Sequence, residues 1–304
     1  MTTYNVTIFG IHLKISPIAF TLPIGKDGWD IYWYGIIIAT GFLLAVLYGA
    51  KNAKRFNINF DKLLDVVLIT TPVSILCART YYVIFDGEKL SGVSDFFGFG
   101  SNSGFSGLAI YGGVIGAAVC GTLMCRCKKI KILDALDLAA VGFLIGQAVG
   151  RWGNFMNQEA YGSFTGSSFW GMESERTILE MGTGLVHPCF LYESIWCICG
   201  FFVLNHLSKK REFSGQISLY YCAWYGFGRA IIELMRTDSL MIGPIKVSFA
   251  LSLLICLLAI AVLIMIKVKK SESEESLNYV EVFSDNTEST NETDNEDLKE
   301  DKNE

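Results

Sequence analysis

Seven apolar runs, divided by loops that alternate between basic and nearly cation-free, constrain this chain more than any single residue does. They cover roughly residues 32–50, 63–85, 108–125, 135–149, 190–207, 217–235 and 247–266. A helix of about 20 apolar residues crosses a bilayer core, so these runs predict an all-α polytopic membrane protein with about seven transmembrane helices. Lys51, Lys54, Arg55 and Lys62 follow the first run, Arg126, Lys128, Lys129 and Lys131 the third, Lys209, Lys210 and Arg211 the fifth, and Lys267, Lys269 and Lys270 the seventh. The other loops hold few cations, chiefly Lys89, Arg176 and Lys246. Basic loops stay on the cytoplasmic side, so the N-terminus is expected outside and the C-terminus in the cytoplasm.

Composition agrees. With 51% hydrophobic residues and a mean hydropathy of +0.39, the 304-residue chain is too apolar for an ordinary soluble domain. Its net charge of -5 misleads, because residues 271–304 hold 13 acidic residues against 2 lysines, which leaves the remainder basic. That tail has almost no apolar content after Phe283 and is expected to be disordered, setting a membrane domain of residues 1–270 apart from an acidic cytoplasmic tail. The nine cysteines lie mostly inside apolar runs at irregular spacing and read as small buried hydrophobes. Cys125 and Cys127 have no partner pair at zinc spacing, and there is no Walker or dinucleotide motif, so no metal and no cofactor is expected. No removable signal peptide is expected at the N-terminus. Residues 8–20 alternate apolar and polar around His12, Lys14 and Pro17, and are too short to span; they predict an interfacial segment or a small hairpin.

Polar residues interrupt this pattern where lipid tolerates them least. GRWGNFMNQEAYG, residues 150–162, puts Arg151, Asn154, Asn157 and Glu159 at the end of the fourth run. A guanidinium offers five donors in a fork suited to phosphate or carboxylate, and asparagines add neutral donors. Snorkelling at a helix boundary explains a lone arginine better than this density. Arg229, Glu233 and Arg236 share one face of the sixth run, where an ion pair that only braces the bundle is the simpler alternative. HPCFLYE, residues 187–193, brings His187, Tyr192 and Glu193 to the start of the fifth run. His187 before Pro188 reads equally as a helix-start residue, while Glu193 needs a cationic partner, for which Arg79 of the second run is a candidate. The glycines of GLAIYGGVIGA, residues 107–117, permit close approach of a helix or a head group around Tyr111, Gly112 and Gly113.

These motifs, with WYG at 33–35 and YGFGRAIIELMR at 225–236, occur in the order that resembles the prolipoprotein diacylglyceryl transferase family of bacteria. The resemblance implies transfer of a diacylglyceryl group from phosphatidylglycerol to the lipobox cysteine thiol of a preprolipoprotein signal peptide, with release of glycerol phosphate. It implies catalytic roles for Arg151, Arg229 and Glu233, and phosphatidylglycerol contacts from Arg151, Asn154, Asn157, Glu159, Arg229, Tyr34, Gly112 and Gly113; Tyr111 is expected beside them as a catalytic residue that hydrogen-bonds the thiol or the lipid. Arg79, His187, Tyr192, Glu193 and Arg236 are expected in support. It also implies a multi-pass protein of the bacterial cytoplasmic membrane with its chemistry facing outward. Two departures stand out: many members carry histidine where this chain has Tyr111, and glutamine near the start of the last run, where this chain has Phe249 and Ala250. A neutral phenol, with a pKa of about 10, is a poor base near neutrality. A diverged phospholipid-binding paralogue without catalysis is therefore a rival reading. A transporter would show paired halves, and no convincing internal repeat is visible; a retinal protein would need a lysine in the last run, which has none.

Overall fold

The computed structural model describes residues 3–23, 28–86, 96, 109–237, 239, 241–243 and 245–271. The acidic tail from residue 272, Lys89, and Gly107 and Leu108 at the start of the glycine motif lie outside the described residues. The chain opens with four short strands, β1 (Tyr4–Ile8), β2 (Ile11–Ile15), β3 (Ile18–Leu22) and β4 (Trp29–Tyr32). Helices α1 (Trp33–Asn52), α2 (Phe60–Asp86), α3 (Ile110–Cys127) and α4 (Ile132–Met156) follow. After α4 come β5 (Met172–Ser174), the short α5 (Glu175–Met181), α6 (Cys189–Leu207) and α7 (Gln216–Met235). A hairpin of β6 (Met241–Ile242) and β7 (Ile245–Lys246) leads into α8 (Val247–Ser271). The chain divides into two compact units, Met1–Cys256 and Leu257–Glu304.

Each of the seven apolar runs holds a helix across its described residues. Among the described residues six are long and apolar enough to cross a membrane: α1 with its terminal 3-10 turn, α2, α3, α4, α6 and α8. The seventh, α7, has 20 residues, enough for about 30 Å, but carries Arg229 and Glu233 and buries a polar face. Leu43 and Leu47 of α1, Leu68 of α2 and Val119 of α3 stay exposed, as side chains facing lipid should. The helix α4 is the hub, packing against α1, α6 and α7, while α3 leans chiefly on α2. Its neighbours close over Leu138, Val141 and Leu144, which form the main core with Phe56, Cys197, Leu204 and Ile217.

The predicted hairpin lies slightly earlier than residues 8–20: β1 and β2 pair antiparallel from Tyr4↔Ile15 to Ile8↔Ile11, and β5 adds to the far edge of β1. The connection 163–186 is therefore ordered. Met172 and Val186 are fully buried with Val6, Phe155 and Phe190 in a second core. This small sheet sits at the end of α4 that carries the polar motif.

Candidate active site

Register between α6 and α7 is set by two tryptophans. Trp196 and Trp224 stack with centroids 4.5 Å apart, and each indole N–H donates to the other's backbone carbonyl, at 3.0 and 3.1 Å. Gly200 and Gly228 make room: a Cβ at either would fall 2.4 Å or less from the opposing indole. With the helices locked this way, Glu193 on α6 faces Tyr225 and Arg229 on α7.

Glu193 is 2% exposed and takes charge from two helices. Arg151 Nη2 of α4 lies 2.5 Å from Oε1, Arg229 Nη1 lies 3.1 Å from Oε2, and the Tyr225 hydroxyl donates to Oε1 at 2.9 Å. Arg229 Nη2 also lies 2.7 Å from Glu233 Oε2, without the alignment of a hydrogen bond, so that pair is held by charge. Burying this many charges is tolerable because each carboxylate has an arginine within contact distance. Arg236 follows directly on the last residue of α7. Its backbone bridges to Gly162, where an added Cβ would fall 2.6 Å from the Met235 carbonyl.

The end of α4 folds back on itself. Gln158 and Ala160 adopt left-handed backbone (φ 56° and 58°) on either side of Glu159, whose amide donates to the Asn154 carbonyl at 2.8 Å. Two non-glycine residues in that region carry strain that the surrounding packing must hold. The reversal lays Glu159 over Asn154, with Asn154 Nδ2 3.4 Å from Glu159 Oε2 and Arg151 Nη1 3.3 Å from Asn154 Oδ1. Arg176 of α5 anchors the far side through Glu159 at 3.4 Å, Glu180 at 2.8 Å and the Asn157 carbonyl at 3.5 Å. Its hydrogen bond to Glu180, helped by both carboxylate charges and opposed by desolvation, raises its pKa above the ordinary guanidinium value.

An apolar cavity of about 540 Å³ reaches this cluster. Ile38, Phe42, Leu64, Leu138 and Phe143 line its walls, and Tyr34, Gln147, Arg151 and Asn154 supply polar groups. Tyr34 fits because Gly153 lacks a side chain; a Cβ there would meet the ring at 2.8 Å. Two of the five Arg151 donors are engaged among the described residues, and its side chain remains 20% exposed. An anion with an apolar tail is what such a space accommodates. Among the described residues no three His, Cys, Asp or Glu side chains stand close enough to hold a metal ion.

The other sequence candidates fall elsewhere. Arg79 is not the partner of Glu193: it donates to the Phe96 carbonyl at 2.9 Å and lies over the Tyr82 ring. His187 Nδ1 is 3.1 Å from the Tyr192 hydroxyl, which also accepts from Trp170 at 2.8 Å, forming a separate network. Gly112 serves helix packing, since a Cβ there would meet Tyr81 at 2.4 Å, while Gly113 has Ala78 at 3.6 Å. Tyr111 is 65% exposed, with its ring near Tyr81 and its neighbour Ile110 on the cavity wall. Sequence reasoning missed Tyr225, although it opens the quoted motif YGFGR, and Gln147, which binds the Tyr221 hydroxyl at 2.9 Å. A glutamine inside an apolar run was the available signal.

The model of the family described as prolipoprotein diacylglyceryl transferase matches residues 17–265. The chain is similar to the phosphatidylglycerol–prolipoprotein diacylglyceryl transferase of Clostridium novyi (strain NT), 39% identical over 254 residues covering 80% of this chain and 93% of that protein. It is likewise 42% identical over 248 residues to the protein of that name from Streptococcus sanguinis (strain SK36), covering 79% and 92%. For the one from Clostridioides difficile (strain 630) the figures are 40% over 242 residues, 78% and 90%.

Proposed function

The chain belongs to the prolipoprotein diacylglyceryl transferase family, and from that premise we propose that it moves the diacylglyceryl group of phosphatidylglycerol onto the lipobox cysteine of a preprolipoprotein, the first step of lipoprotein maturation. The observation that carries this reading is the meeting of Arg151 and Arg229 on Glu193 beside the apolar cavity.

The lipid's acyl chains occupy the cavity between α1, α2 and α4, with its phosphate at Arg151. The cysteine sulfur attacks the glycerol carbon that bears the phosphate ester. A C–S bond forms as the bond between that carbon and the phosphate-ester oxygen breaks, its electron pair staying on the oxygen; the thiol proton passes to water or to the glycerol phosphate that leaves. The barrier falls when negative charge growing on the departing phosphate meets fixed cations in a dry site. Arg151 and Arg229 supply that charge, and Asn154 donates to phosphate or glycerol oxygens. Glu193 and Glu233 hold the guanidiniums so that little reorganisation is needed, and Glu159 orients Asn154. The same cations favour thiolate, of which an unperturbed cysteine has only a few per cent near neutrality. Tyr111, beside the cavity wall, hydrogen-bonds the incoming thiol or the lipid; as a neutral phenol it does not serve as the base.

Residues 1–270 form the membrane-embedded catalytic domain and 271–304 an acidic tail in the cytoplasm. The basic loops put the N-terminus outside, so the site faces outward from the bacterial cytoplasmic membrane, where exported preprolipoproteins arrive. The test is direct. Purified protein is incubated with phosphatidylglycerol labelled in its acyl chains and a peptide carrying a lipobox cysteine. Label should enter the peptide with equimolar release of glycerol phosphate, and none should enter a Cys-to-Ser peptide. A folded protein that binds the lipid without transferring label overturns the enzyme reading.

A further inference from the structure

The carbonyls at the C-terminal end of α7 converge on one ammonium. Lys246 Nζ lies 2.8 Å from the Glu233 carbonyl oxygen, 3.2 Å from that of Leu234 and 2.6 Å from that of Arg236. The remaining carbonyl in this stretch, Met235, accepts the Ser163 amide at 2.8 Å. An ammonium has three donors and here finds three acceptors. A helix leaves its last four carbonyls without intrahelical partners, and near a bilayer little water is on hand to satisfy them. A cation at that end also opposes the negative pole of the helix. The β6–β7 hairpin makes this reach possible. Its register sets Met241 opposite Lys246, and Gly243, with φ 59°, takes part in the turn that brings the chain back towards α7.

We propose that Lys246 is a positioning residue for the transfer reaction, clamping the last turn of α7 so that Glu233 keeps its hold on Arg229. Glu233 lies two residues before the end of α7, and its carboxylate is the one that contacts Arg229 Nη2. Fraying of this turn moves the Glu233 backbone, releases one side of the Arg229 guanidinium and leaves it steered by Glu193 alone. Lys246 touches no reacting atom; it acts through the backbone. In the sequence it is one of the few cations in the cation-poor loops, and the clamp gives that charge a use.

The inference rests on the proposed transferase activity, so one arm of its test does not depend on turnover. In Lys246→Met, which keeps the stem and removes the charge, amides of residues 232–235 should exchange with solvent at least about tenfold faster, whether or not the parent transfers lipid. In the transfer assay the same variant should lose about tenfold in kcat, with KM for phosphatidylglycerol within about twofold, as expected when alignment and not lipid binding is lost. Lys246→Arg should restore most of both. Unchanged exchange protection in Lys246→Met overturns the clamp. Unchanged kcat, or an activity loss that only follows the folded fraction in the Met and Arg variants alike, overturns the positioning role. An inactive parent with the expected exchange pattern would refute the transferase reading and leave the clamp standing.

Discussion

The two ends of α4 both carry buried charge, and they use it differently. At the start, Asp134 and Asp137 hold Arg211 at 2.8 and 3.0 Å, and Arg211 lies over the Phe56 ring. Asp137, wholly buried, also accepts the Gly215 amide and the amide and hydroxyl of Ser218, each at 2.8 Å, and so caps the first turn of α7. A carboxylate there complements the positive end of that helix. At the other end of α4, Glu193 is shared by two arginines, and one of them, Arg151, borders a cavity. The first cluster closes around Asp137, a buried carboxylate that accepts from Arg211, Gly215 and Ser218; the second turns Arg151 towards the cavity. Buried charge does not by itself mark a site. A guanidinium that borders an apolar cavity does.

Substitutions that treat the two clusters alike should break them in different ways. The largest effect expected is on stability, from Asp137→Ala, which strips a buried arginine of one partner and uncaps α7 at a cost of about 3–5 kcal/mol. Thermal unfolding in detergent should show the loss, and residual transfer should follow the amount of folded protein. Glu193→Gln comes next. It leaves Arg151 and Arg229 facing each other across a neutral amide, and kcat should fall by on the order of 10²-fold, more than the loss of folded protein accounts for. A smaller effect, on substrate binding alone, is expected from Gly146→Phe. Gly146 lines the cavity, and a Cβ placed there meets nothing within 4 Å. A ring in that space should raise KM for phosphatidylglycerol about tenfold with little change in kcat. An unchanged KM would mean that the acyl chains lie elsewhere.

Much of the bundle was legible because lipid imposes a simple rule: apolar run, helix, basic loop. The ends of α4 were harder. The motif 150–162 announced Arg151 and Asn154 because their polarity is local to one stretch of chain. Glu193 read only as a carboxylate in need of a cation, and Arg79 was as good a partner on sequence as Arg151, since pairing depends on how α4, α6 and α7 meet. That meeting is fixed by the Trp196–Trp224 clasp, which involves residues 28 apart and two glycines whose purpose shows only when both helices are present. Asp137 gave no sign at all, because its partners lie between 74 and 81 residues further on. The turn after α4 was hidden for another reason: Gln158 and Ala160 are not residues that announce a left-handed backbone.

The measurement that bears most directly on this contrast is the rate of label transfer from phosphatidylglycerol to the lipobox peptide by Arg151→Ala, normalised to folded protein and set beside the parent. Loss of a cation that meets charge developing on the leaving phosphate should lower kcat by at least about 10²-fold while the fold persists. Transfer within a few fold of the parent would contradict the assignment of the cluster beside the cavity to phosphate, and would make both ends of α4 structural.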